Sequence, residues 1–145
     1  MDIREECTIE IEDNLYEAFT ETDLPYTEFK LKHFERTPVD PVGIDLMPCV
    51  LILEGEDNIK KRTNRTYAGF PVSRAFELMV EVWDFDRVKV KSMYFTARKA
   101  VLKNGGTLLN GAIREDKVFG PFTALPEGAL GMRIVFELVY EDKEL

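Results

Sequence analysis

The sequence predicts an α+β domain, with a mixed, mainly antiparallel sheet and helices packed on it. Three observations carry that expectation. The stretch Met47–Glu54 holds five consecutive apolar residues after a proline, Cys49-Val50-Leu51-Ile52-Leu53. That run is too short for a free-standing helix and is what a strand covered on both faces looks like. The stretch Ser73–Trp83 alternates, with Phe76, Leu78, Val80 and Val82 on one side and Glu77, Met79, Glu81 and Trp83 on the other. Two further stretches, Met1–Thr20 and Val88–Asn104, repeat their apolar residues at helical spacing. The order is helix, strand, strand, strand, helix, strand, strand. Strands grouped between helices imply α+β.

Taken in order, the first helix spans Met1–Thr20, with Ile3, Cys7, Ile11, Leu15, Ala18 and Phe19 as its apolar members. Acids in its first turn suit the helix dipole, and Asp23-Leu24-Pro25 ends it. Tyr26–Arg36 alternates as a candidate strand, with His33 as a half-buried strand residue, and Thr37–Gly43 is a proline-rich loop. The apolar strand at Met47–Glu54 is followed by a long polar excursion, Gly55–Pro71, whose part from 58 to 70 is expected to be a protruding basic arm. After Ser73–Trp83, Asp86 is placed to cap the second helix, and Asn104-Gly105-Gly106 to stop it in a left-handed turn. Thr107–Glu115 and Met132–Tyr140 read as the last two strands, with a long Gly/Pro-rich loop over 116–131 between them. Leu51, Val80 and Phe136 are expected in adjacent strands facing the helix 88–104.

Length and composition narrow the function classes. The 145 residues fit one domain over 1–145, and 45% hydrophobic content with 10 Phe fits a globular chain. No apolar run approaches the ~20 residues of a membrane span, and Met1–Glu6 lacks the basic start and apolar core of a signal peptide. An intracellular protein without a membrane partner is expected. The net charge of −8 argues against nucleic acid as the main partner. The charge is unevenly spread: ten acids against one base from Met1 to Glu28, but four bases (Lys60, Lys61, Arg62, Arg65) and no acid from Asn58 to Thr66. An acidic surface and a basic projection on one chain suit attraction between copies or to a neighbour in an assembly.

Enzyme chemistry leaves few traces. There is no phosphate loop, because Asn104-Gly105-Gly106 follows a helix instead of opening one. A nucleophile–base pair would have to join His33 with Cys49, Ser73 or Ser92. Cys7 and Cys49 lack the spacing of a zinc site and read as buried thiols. The acids Glu54, Glu56, Asp57 and Asp84, Asp86 lie at strand ends, where turn acids are more common than divalent-ion ligands. The expectation is a non-enzyme with no catalytic, cofactor or metal site.

From Leu46 to Tyr140 the pattern resembles the tail-terminator (tail-completion, minor tail) proteins of long-tailed bacteriophages. The resemblance rests on the proline-led strand Leu46-Met47-Pro48-Cys49-Val50-Leu51-Ile52, a polar excursion, and a long strand ending at Glu81-Val82-Trp83-Asp84. An amphipathic helix, a strand, a Gly/Pro-rich loop and the closing strand Phe136-Glu137-Leu138-Val139-Tyr140 complete it. It implies a virion protein assembled in the host cytoplasm, with no cofactor. Its copies would form a ring, usually a hexamer, that docks on the tail tube protein, stops tube polymerisation and meets a head-completion or connector protein. Within that reading Lys60, Lys61, Arg62 and Arg65 form the arm that binds the tube or a neighbour. Phe119, Phe122, Leu125 and Leu130 form an inter-subunit loop, and DNA is at most an incidental neighbour of the bases. A head-completion or neck adaptor of the same particle, or a soluble α+β ligand-binding protein, remain the alternatives.

Overall fold

The computed structural model of the chain describes residues 3–20, 33–35, 48–62, 72–124 and 128–142. Its elements are α1 (Ile3–Thr20), β1 (His33–Glu35), β2 (Cys49–Arg62), β3 (Val72–Asp84), α2 (Arg87–Val101), a 3-10 turn (Lys103–Gly106), β4 (Gly111–Ala124) and β5 (Ala129–Asp142). The strands form one sheet in the order β1-β2-β3-β5-β4. β1 joins β2 in parallel, and the other four strands pair antiparallel. α1 and α2 touch each other and pack on one face of this sheet. This is the expected α+β arrangement. Among the described residues, no helix is long and apolar enough to cross a membrane.

The core lies between the helices and the sheet. Cys7, Ile11 and Leu15 of α1 and Val90, Met93, Ala97 and Val101 of α2 are buried against Val50, Ile52, Leu78, Val80, Ile134 and Phe136. The register explains how these meet: Ile52 lies opposite Val80, Val80 opposite Ile134, and Leu78 opposite Phe136. Alternation then sends their chain neighbours to the other face. Leu51 is among them, so the expectation that it faces the helix is corrected. It is buried instead in a second cluster with Cys49, Trp83 and Ala129, against which Phe122 packs. Val80 and Phe136 do face the helices.

Local chemistry sets the boundaries of α2. The Asp86 side chain accepts from the backbone N–H of Val88 at 2.8 Å and of Lys89 at 3.4 Å, as an N-cap does. At the far end Asn104 (φ 59°) and Gly105 (φ 67°) take the left-handed conformation that ends a helix.

Two expected loops turn out to be largely strand. The segment 116–131 is expected as a loop, yet β4 runs through it to Ala124 and β5 begins at Ala129. β4 is an edge strand, where proline removes no needed ladder bond. A register shift between Phe119 and Phe122 takes up the cis Gly120–Pro121 pair. Thr107, expected to start this strand, makes only an isolated bridge to Ala112. The arm over 58–70 is likewise shorter than expected, because β2 continues to Arg62, opposite Val72 of β3. Two irregularities interrupt its pairing, between Glu54 and Asp57 and between Ile59 and Lys61.

Candidate assembly interface

The β2–β3 hairpin positions the basic residues singled out in the sequence. Among the described side chains of β2, the fully buried ones end at Ile52, and the strand runs on to Arg62. Lys60, Lys61 and Arg62 therefore belong to an ordered ladder at the far end of the sheet, where Lys61 lies opposite Ser73. Their side chains, Arg65 and the rest of 63–71 lie outside the described residues. So does the His33 side chain, although its backbone forms β1.

A carboxylate ties the base of this hairpin to the core. Asp57 Oδ1 accepts from Arg74 Nε at 3.1 Å, and Oδ2 accepts from Arg4 Nη1 at 3.3 Å and from the Tyr140 hydroxyl at 2.5 Å. The Arg4 guanidinium also stacks 4.9 Å above the Phe76 ring. One side chain thus joins α1, β2, β3 and β5. Burial raises the Tyr140 phenol to about 12, with the hydrogen bond and charge of Asp57 adding to it. The Asp57 hydrogen bond likewise pushes the Arg74 guanidinium up, so it stays charged throughout. Asp57 is thereby committed to this knot, and Asp86 to capping α2. The sequence offered Asp57 only as a turn acid or weak ion ligand, whereas the Asp86 cap stands where it was expected. Its missed signal was the coincidence of Arg4, Arg74 and Tyr140, which are adjacent only after folding.

On the face away from the helices, Glu81 is buried and charge-compensated. Its carboxylate accepts from Arg133 Nε at 2.6 Å and from Trp83 Nε1 at 3.2 Å. Trp83 in turn meets Phe122 edge-on, with centroids 5.3 Å apart and rings at 86°. Burial, with Glu81 and Asp84 adding, pushes the Cys49 thiol up to about 12. Cys49 is therefore protonated near neutral pH and unsuited to act as the nucleophile the sequence offered for pairing with His33. The Cys7 thiol is raised to about 11, by burial first and then by Glu10 and Glu6. Both cysteines are free and buried, as expected.

The apolar inter-subunit set divides. Phe122 and Leu130 pack within the chain, the first on the Trp83 cluster and the second against the main core. Among the three described residues of this set, only Phe119 is placed at the surface, 47% exposed on edge strand β4, with Lys117 Nζ 5.5 Å from its ring centroid. Leu125 lies outside the described residues. A recess of about 120 Å³ is lined by Glu56, Ala75, Phe76, Glu77, Asp116, Phe136 and Glu137. It is small beside the roughly 300–1,000 Å³ of ordinary ligand sites, and Glu137 already holds Arg114 at 2.9 Å. Among the described residues, no three His, Cys, Asp or Glu groups are arranged to hold a metal ion.

No protein-family model matches this chain, and no curated protein does.

Proposed function

We propose that this chain is a structural protein of a phage-type tail, a ring-forming terminator at the head-proximal end of the tail tube. The observation that carries the reading is the β2–β3 hairpin, which runs past the helix-covered core and ends in Lys60, Lys61 and Arg62. The ladder carries the backbone of these three residues to the end of the sheet, which suits a contact to an acidic tube end or ring neighbour. The sheet also ends in strands of unequal kind, the three-residue β1 and the fourteen-residue β4 with Phe119 exposed. Two different edges favour head-to-tail contacts, which generate rings when the rotation closes. The chemistry on this reading is recognition by charge and shape, without catalysis or cofactor.

Omitting the protein from the particle that encodes it tests the reading. Tails of unregulated length are expected, and tails of normal length would overturn it. Normal tails that lack heads would assign the chain to the neck adaptor position instead.

A further inference from the structure

The two helices carry opposite charge. α1 has six acids against one base, whereas α2 has five bases and no acid. Part of that charge is used within the chain. Arg98 pairs with Glu115, Glu10 accepts from the Leu109 backbone N–H at 3.0 Å, and Glu6 accepts from Asn110 Nδ2 at 2.9 Å. Arg4 is held by Asp57, and Asp13 and Glu17 of α1 and Lys91 and Lys99 of α2 are exposed. On α2, Val88, Lys91, Phe95 and Lys99 recur at the spacing of one helix face, opposite the buried Val90, Met93 and Ala97. Val88 is 73% and Phe95 60% exposed. On α1, Asp13, Tyr16 and Glu17 are exposed opposite Ile11 and Leu15, with Tyr16 at 55%. Each strip thus has large apolar side chains flanked by charge of one sign, the usual anatomy of an interface with a polar rim.

We propose that this outer helical face docks on the same face of a second copy through a two-fold axis, α1 of each lying over α2 of the other. Like strips repel, so a second copy cannot set α1 on α1 or α2 on α2. Because the two helices lie against each other on one side of the sheet, a two-fold rotation makes both acid-on-base matches at once. A net charge of −8 repels nucleic acid and a second copy alike at long range, so the pairing rests on the local match of acidic α1 to basic α2.

Size sets the expected strength. At 1.5 Å rise per residue the helices are roughly 27 and 22 Å long. Their outer faces together then cover on the order of 500 Å² per copy, below the ~800 Å² of a standard interface. The dimer should therefore be a weak one, and it should weaken further with salt. The inference does not rest on the terminator reading, since ring contacts repeat head-to-tail and this one closes at two.

Sedimentation velocity up to about 300 µM, at about 50 and about 500 mM NaCl, tests it. A salt-sensitive dimer is expected. Lys91→Glu with Lys99→Glu should weaken it at least tenfold, as should Asp13→Lys with Glu17→Lys. All four changes in one chain should restore it, because the signs match again. Phe95→Ser, with every charge kept, should also weaken it. Circular dichroism checks that each variant remains folded; all five side chains are exposed. A wild-type monomer throughout, or self-association that survives both single-helix reversals, would overturn the proposal. So would a folded four-change variant that stays monomeric.

Discussion

Replacing Asp57 by alanine tests whether the hairpin is fixed to the core by a single carboxylate. The side chain is 12% exposed and accepts from Tyr140, Arg74 and Arg4. Loss of an acceptor leaves the 7%-exposed Tyr140 hydroxyl without its partner, which costs about 1–3 kcal/mol. The two arginines contribute less. Their side chains are 24% and 37% exposed, so water replaces part of what they lose, and about 0–1 kcal/mol each is the scale for such pairs. The sum is on the order of 2–3 kcal/mol, or a fall in Tm of roughly 5–10 °C for a domain of this size. Urea denaturation and calorimetry measure both. The double-mutant cycle with Tyr140→Phe isolates the hydroxyl: in that background Asp57→Ala should cost at least about 1 kcal/mol less. A loss below about 0.5 kcal/mol, or simple additivity, would show that the carboxylate does not organise the base of the hairpin.

Three further outcomes are expected. Exchanging Lys60, Lys61, Arg62 and Arg65 for Ser or Gln should leave the melting temperature nearly unchanged but abolish tube docking; normal capping by this variant would remove the role assigned to the hairpin. Stability should fall as pH rises above about 9, because Cys7, Cys49 and Tyr140 titrate higher in the folded chain than in the unfolded one, near 11, 12 and 12 against 9, 9 and 10. The unfolded state loses those protons first, so denaturation midpoints should drop between pH 9 and 12, and less steeply in Tyr140→Phe. Gly131→Ala should destabilise by about 1–3 kcal/mol, read by urea denaturation, because a β-carbon there would stand 2.8 Å from the Trp83 ring.

The parts of the fold set by local rules were legible. The two helices, the Asp86 cap, the left-handed stop at Asn104–Gly105 and β3 all follow from periodicity and capping chemistry. The misses all lie in decisions that depend on a neighbour. Composition marks Asn58–Arg62 and Asp116–Ala124 as loop, but each is held by a partner strand, β3 in one case and β5 in the other. Leu51 was assigned to the wrong face because a run of five apolar residues has no visible alternation, and only the register with Glu81 decides its side. The assembly residues fared the same way. Basic residues of the hairpin end could be picked out by charge, whereas Phe122 and Leu130 looked like exposed apolar groups until Trp83 and the main core were found to receive them.

The charge blocks of this chain make sense only in three dimensions. α1, α2 and the hairpin end are distant in sequence, yet the sheet collects the two helices on one face and leaves the hairpin end at its margin. Asp13, Tyr16 and Glu17 lie in the C-terminal half of α1, while Arg4 at its other end reaches Asp57 and the hairpin base. The outer helical face and the hairpin end are therefore separate surfaces. Reversing Lys91 and Lys99 should remove pairing and spare tube docking, and neutralising the hairpin bases should do the opposite. A variant set that removed both together would mean that one charged surface serves both contacts, and the division of labour between the layers would be wrong.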